Sequence, residues 1–245
     1  KRLVDYEINV SAWSRWNAFV SEAEADLFQK LGGKGHIVAL PNGVDSDLLR
    51  LPVEESEQHA EPVFDVRSSK ETNLVFAGTM NYFPNADAVL YFVRDILPLI
   101  RKDCPQVTFD VVGRFPPRGI RRLHGKDGVR VLGEVNDLRA HIVRAPVCVA
   151  PLRIARGIQN KVLEAMAMGV PVVATRAAVE GIQIGDADEI LIGDSPPTFA
   201  AHVVALLHDR HLRNRVEKQA RNRVAQSYSW KKTHACLDQL IGELP

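Results

Sequence analysis

From residue 73 to about residue 193 the chain repeats one pattern: a short apolar run, a turn, then apolar residues at helical spacing. The runs fall at 74–78, 107–113, 129–133, 147–152, 170–175 and 190–193. They are continuously apolar rather than alternating, the pattern of strands covered on both faces in a parallel sheet. Between them, Val89, Leu90, Val93, Ile96, Leu97 and Ile100 fall on one helical stripe, with Pro84 placed to start a helix and Pro98 to kink it. Val162, Leu163, Met166 and Ala167 form a second stripe, closed by Gly169 at its C-cap. Parallel strands need crossover connections, and those are right-handed. The expected fold is therefore α/β, a doubly wound parallel sheet of the Rossmann-like kind.

The flanks read differently. An amphipathic helix is expected over residues 12–31, broken by Gly32-Gly33-Lys34-Gly35, then a short strand over 36–40 closed by Pro41-Asn42-Gly43. Residues 50–72 are polar with little periodicity and read as a long surface excursion. From Ser195 the chain is expected to be helical to its end. With 245 residues it can bury a sizeable core.

Charge and composition remove several function classes. There are 31 Lys and Arg against 30 Asp and Glu, a net charge of +1, where a dedicated nucleic-acid binder needs a basic excess. No apolar run approaches the ~20 residues of a membrane span. No signal peptide follows Lys1, so a cytoplasmic location is expected, and the missing initiator methionine suggests part of a longer protein. Cys104, Cys148 and Cys236 lie far apart and read as reduced thiols. The eight histidines show no ligand spacing, so no metal site is expected.

In such sheets ligands bind beyond the carboxyl ends of the strands. The loops there begin at Gly78-Thr79, at Gly113-Arg114, at Leu152-Arg153 and at Thr175-Arg176. The third is the most informative, because it opens a helix whose first N–H groups and partial positive charge suit an anion. Gly157 lets the backbone approach a phosphate, and Arg153, Arg156 and Lys161 surround that point with cations. Glu164 shares a helical face with Asn160 and Lys161, placed to accept two hydrogen bonds from ribose hydroxyls. The chemistry suggested is a nucleoside diphosphate. No Walker A loop and no GxGxxG occur, which disfavours an ATPase or a dinucleotide oxidoreductase.

Residue types alone leave plainer readings open. Arg153, Arg156 and Lys161 also fit a solvated basic loop. Glu164 also fits a surface pair with Lys161, worth only ~0.3–0.5 kcal/mol. Gly78-Thr79 fits an ordinary turn and Arg114 an exposed loop charge.

The stretch Lys161-Val162-Leu163-Glu164-Ala165-Met166-Ala167-Met168-Gly169-Val170-Pro171-Val172-Val173-Ala174-Thr175 resembles the donor-site signature of retaining GT-B glycosyltransferases of the group 1 type. In those enzymes a Glu-Ala-Met-Ala helix precedes Gly-x-Pro-Val-Val. Pro41-Asn42-Gly43-Val44-Asp45, Gly133-Glu134-Val135 and Tyr228-Ser229-Trp230 match further family features. Residues 78–85 with 151–164 are similar to bacterial exopolysaccharide-type sugar transferases. The resemblance covers the chain from about residue 36.

It implies the C-terminal, donor-binding half of a GT-B architecture: residues 41–228 as the Rossmann-like donor domain, 1–40 as the remnant of an N-terminal acceptor domain, and 229–245 as a helix packing back on that domain. It implies a UDP- or GDP-sugar as substrate, a carbohydrate or lipid-linked acceptor, a role in polysaccharide biosynthesis, and no separate cofactor. Glu164 would bind the ribose and Lys161 the diphosphate, with the backbone of Gly157 and Ile158 nearby and Arg114 and Leu132 near the base. Retention of configuration is implied too, and the absence of an Asp-x-Asp motif fits metal-independent transfer.

The chain departs from the family in two places. Many members carry a Glu eight positions before the second Glu; that position here is Arg156. Many also carry Arg and Lys after the first strand, where this chain has Gly78-Thr79-Met80-Asn81. Arg153 and Lys161 are read as replacing that charge, with Arg156 as an alternative. On this reading Lys161 and Arg153 stabilise the departing diphosphate, and the chain alone is expected to be inactive. Two other classes stay in view: a nucleotide-binding module that transfers nothing, and a sugar-nucleotide epimerase on the same plan. Two basic clusters, Arg114–Arg118–Arg121–Arg122–Lys126–Arg130 and Arg210–Arg213–Arg215–Lys218–Arg221–Arg223, fit solvated faces. Beyond that, the first fits attraction of the donor phosphates, and the second peripheral contact with the anionic inner membrane.

Overall fold

In the computed structural model, residues 2–45, 72–185 and 188–242 are described. The chain opens with α1 (Arg2–Ser11), β1 (Trp16–Phe19), α2 (Glu22–Lys30) and β2 (His36–Ala39). The single helix expected over 12–31 is thus a strand followed by a shorter helix. Trp16–Phe19 pairs in parallel with His36–Ala39, a pairing that local periodicity does not reveal. Ser21 fixes where the helix begins, its side chain accepting from the Glu24 N–H at 3.2 Å. The excursion expected at 50–72 lies, apart from Thr72, outside the described residues.

The expected alternation follows: β3 (Asn73–Ala77), α3 (Phe83–Tyr91), α4 (Leu97–Asp103), β4 (Thr108–Val112), α5 (Arg118–Arg121), β5 (Val129–Gly133), α6 (Leu138–Arg144), β6 (Val147–Ala150), α7 (Asn160–Ala167), β7 (Val172–Ala174), α8 (Arg176–Val179) and β8 (Leu191–Ile192). These six strands form one sheet in the order β5-β4-β3-β6-β7-β8, parallel throughout. Separate from it, β1 and β2 form a two-stranded sheet. Every residue of β3, β6 and β7 is buried, which explains their unbroken apolar runs. The core between sheet and helices includes Phe92, its ring tilted at 45° with its centre 4.5 Å from that of Phe109, and edge-on to Phe199 at 6.1 Å. Burying each such ring contributes roughly 1.5–3 kcal/mol.

The helix bearing Pro98 is not simply kinked. Between α3 and α4 the backbone widens into a π-helical stretch, Phe92–Ile96, and Pro98 sits in the first turn of α4. A proline there has no N–H for the carbonyl four residues back and its ring crowds that carbonyl; the wider turn relieves both. Leu90, expected on the apolar stripe, faces solvent. The second stripe holds: Val162, Leu163, Met166 and Ala167 are buried, and Gly169, at φ +72, follows the C-cap.

From Ser195 onward the chain forms α9 (Pro196–His208), α10 (Arg210–Ser227) and α11 (Trp230–Gly242). Most of the basic cluster on α10 is used inside the fold. Arg213 donates to the Leu206 carbonyl (2.9 Å), Arg221 to that of Met168 (3.1 Å), and Arg223 to both oxygens of buried Glu189 (3.0 Å). Arg215 pairs with Asp188 at 2.8 Å. The Tyr228-Ser229-Trp230 stretch fastens the junction turn. Tyr228 accepts from the Val44 N–H at 2.6 Å, Thr233 donates to the Pro41 carbonyl at 2.9 Å, and Trp230 lies against Gly43. No described helix is long and apolar enough to cross a membrane.

Candidate active site

The strand order reverses direction between β3 and β6: the chain runs outward to β4 and β5 from one, and to β7 and β8 from the other. The crevice at their carboxyl ends is where such a sheet binds ligands. Two backbone features open it. Gly113 has φ +143, and a β-carbon there would stand 1.8 Å from the Gly78 carbonyl oxygen, so no side chain fits where the loops after β3 and β4 touch. On the other side of β4, the pairing with β5 skips a residue: Val111 faces Val131 and Val112 faces Gly133. Leu132 is the extra residue of this bulge, freed from the ladder at the carboxyl end of its strand.

Lys161, in the first turn of α7, reaches into this crevice. Its Nζ donates to the Asn85 side-chain oxygen and lies 4.6 Å from the centre of the Phe76 ring. A β-carbon on Gly78 would stand 2.9 Å from that Nζ. Asn85, itself buried, is held by its NH2, which donates to the Thr79 carbonyl at 2.9 Å. The ammonium is thus fixed by an amide and lies beside the backbone of the β3 loop. Burial lowers the Lys161 pKa to about 8, with the Glu164 carboxylate pulling the other way. Burial also raises the Glu164 carboxyl, with Lys161 pulling the other way. Among the described residues no hydrogen bond or ion pair joins Glu164 to Lys161, so the simple surface pair is not what forms. Beneath them, burial pushes the Cys148 thiol up to about 12.

The start of α7 carries no side-chain cap, since Gln159 instead donates to the Arg156 carbonyl at 3.1 Å. The backbone of Gly157 and Ile158 packs against Gly181, where a β-carbon would come within 2.6 Å. Gly157 also faces the first segment of the chain: a β-carbon there would lie 3.1 Å from a Glu24 carboxylate oxygen. Between that segment and this loop runs a cleft of about 270 Å³, walled by Glu7, Glu24, Arg156 and Glu180 over Phe19 and Phe28.

The other expected site residues separate into near and outlying positions. Thr79 is exposed at the mouth of the crevice. Arg153 is engaged: its guanidinium grips the Asp87 carboxylate (Nε to Oδ2 3.0 Å) and lies 4.9 Å over the Tyr91 ring. Arg114 pairs with Glu134 at 2.9 Å, both exposed, while its carbonyl accepts from the Met80 N–H at 2.8 Å. Asn85 and Asp87 are the partners that residue-by-residue reading did not assign. Their one signal is polarity on α3 beside the buried Ala88 and Val89.

A doubly wound sheet with a half-buried lysine at the switch point and an uncapped helix beside it defines a Rossmann-like domain with an anion-ready crevice. The chain belongs to the glycosyl transferases group 1 family, whose model matches residues 71–209. No curated protein sequence matches it. Among solved structures it is similar to Anabaena HepE in complex with UDP, at 15% identity and TM-score 0.78, over 98% of this chain and 67% of that one. It is similar also to sucrose-phosphate synthase from Thermosynechococcus elongatus (20%, TM-score 0.71, 98% and 61%) and to a glycosyltransferase from Rickettsia africae (14%, TM-score 0.72, 98% and 66%). These are GT-B glycosyltransferase structures, and the likeness fixes the fold.

Proposed function

We propose that this chain carries the donor half of a glycosyltransferase that moves a sugar from a UDP- or GDP-sugar to a carbohydrate or lipid-linked acceptor in cytoplasmic polysaccharide biosynthesis. One observation carries the reading: a partly buried ammonium, Lys161, fixed by Asn85 beside Gly78 at the switch point of the sheet. The Anabaena protein has been seen with UDP, with UDP-glucose, and with UDP and glucose, which favours uridine.

On this reading the diphosphate lies between the Gly78-Thr79 backbone and the start of α7. Lys161 and the free N–H groups of that helix stabilise the negative charge that grows on the departing diphosphate. Those groups supply the charge a metal would otherwise supply, so transfer proceeds without one, with retention of configuration. Glu164 accepts from the ribose hydroxyls. The freed backbone of Leu132 and the Arg114 loop meet the base. The sugar extends past Arg156, Gly157 and Ile158 toward the cleft bounded by Glu24 and Glu180. Arg153 is the second cation, available once it exchanges Asp87 for phosphate.

Residues 41–228 are the donor domain in this proposal. Residues 1–40 belong with the acceptor domain, and the exposed faces of α1 (Leu3, Tyr6) and α11 (Leu237, Ile241) are where the rest of that domain packs. The 245-residue chain alone therefore binds donor without transferring it. Calorimetry with UDP, GDP and ADP tests this. UDP or GDP binds the wild-type chain below millimolar, and Lys161→Ala and Glu164→Ala each weaken binding 10- to 100-fold, the ~1.5–3 kcal/mol of a charged hydrogen bond. No nucleotide binding to wild type, or full binding by Lys161→Ala, defeats the assignment.

A further inference from the structure

The loops that follow β3 and β4 bring three aromatic rings to the surface together. Tyr82, Phe83 and Phe115 are 59%, 66% and 63% exposed, and the Met80 N–H to Arg114 carbonyl bond ties their two loops side by side. Phe115 is the more telling, because it sits at φ +56. Bulky residues rarely adopt that left-handed conformation, and here it gains no burial: the backbone is bent so that the ring faces water. An observed outlier of this kind points toward a functional constraint.

Beside the rings stand Arg118, Arg121, Arg122 and Lys126, all exposed. None of the four forms an ion pair among the described residues, in contrast to Arg114 with Glu134, Arg130 with Asp110, and the α10 cations Arg215, Arg221 and Arg223. The structure thus redistributes the charge seen in the sequence. The α10 cluster is largely consumed by the fold, whereas these four cations next to the exposed aromatics are not.

We propose that Tyr82, Phe83 and Phe115 with Arg118, Arg121 and Arg122 form a membrane-docking face that rests on an anionic lipid surface. Aromatic rings favour the headgroup level of a bilayer, and each unpaired Arg or Lys near an anionic leaflet adds attraction. Charge complementarity selects this occupant: the patch offers cations without acidic partners, and an anionic leaflet is a continuous field of the opposite sign. Docked this way, the carboxyl ends of β3 and β4 face the lipid surface, and the crevice opens close to it.

Co-sedimentation of the full 245-residue chain with vesicles tests the proposal. Phosphatidylcholine vesicles containing about a third phosphatidylglycerol bind it at low salt and release it at high salt; pure phosphatidylcholine vesicles do not bind it. The double variant Arg121→Glu/Arg122→Glu loses at least about 25-fold in partitioning, from ~5-fold per cation. Phe115→Ala loses several-fold, and Phe115→Trp restores it. Arg210→Glu/Lys218→Glu on α10 makes the same charge change and leaves binding intact. Thermal unfolding checks that each variant is folded. Absence of binding to anionic vesicles overturns the proposal, as does equal loss on reversing the α10 charges. If Phe115→Ala instead weakens UDP binding and spares vesicle binding, the ring serves the nucleobase and the proposal fails.

Discussion

Gly78 and Lys161 are in contact across the switch point of the sheet: a β-carbon on Gly78 would stand 2.9 Å from the lysine Nζ and 2.8 Å from the Asn85 amide nitrogen. The lysine can lie against the β3 loop only because that residue has no side chain.

Gly78→Ala is therefore expected to displace the ammonium while leaving the fold intact, since both clashes are with side-chain ends. UDP affinity falls about tenfold, equivalent to ~1.4 kcal/mol, with little change in the thermal midpoint. Calorimetry beside a melting curve checks this. Unchanged affinity shows that the diphosphate does not meet Lys161 at this loop.

The lysine also sets a pH dependence. Its pKa is about 8 in the fold against an ordinary 10.5, so between those values the unfolded chain holds more protons. Stability of the free protein consequently rises with pH across that window. Donor binding runs the other way, because the diphosphate needs the protonated form. UDP affinity is expected to hold below pH 8 and to fall up to tenfold per unit above it, with proton uptake on binding. Titrations in buffers of different ionisation enthalpy measure that uptake. A flat affinity from pH 7 to 9.5 rules out Lys161 as the phosphate cation.

Arg153 offers a different contrast. Its guanidinium is committed to Asp87, so removing that carboxylate frees a cation at the crevice. If Arg153 serves the donor, Asp87→Asn strengthens UDP binding several-fold and Arg153→Ala weakens it. If neither variant shifts the affinity, Arg153 only braces α3 against the loop after β6.

Stability rests elsewhere, on a polar chain inside the sheet. Arg130 clamps Asp110 at 2.5 and 2.8 Å, Asn73 donates to the same carboxylate at 3.1 Å, and Thr108 donates to Asn73 at 3.1 Å. Asp110→Ala leaves the buried Asn73 amide NH2 without its acceptor and is expected to cost about 1–3 kcal/mol in urea unfolding. UDP binding stays at wild-type strength at low denaturant.

The strands with continuous apolar runs are found where expected because each is buried on both faces, so burial and composition carry the same information. Gly169 and Ser195 likewise act locally, ending and starting helices through their own backbone and side chain. Trp16–Phe19 escaped local reading because its state depends on a partner strand twenty residues away. The basic helix misled for a related reason: charge is visible in a sequence, but its partners Glu189, Asp188 and the Met168 carbonyl are not.

The candidate site divides along the same line. Lys161, Glu164 and the glycines around them stand out in the sequence because their residue types are unusual at the mouth of a helix. That Lys161 is held by Asn85, that Asp87 engages Arg153, and that Leu132 lies in a bulge follow only from how the strands are ordered. The sequence by itself determined the strand–helix alternation, the helix termini and the residue types at the crevice, because those depend on local backbone preference and burial. Only the tertiary structure decided which charges remain free, because pairing and desolvation arise between residues that the sheet brings together from distant parts of the chain.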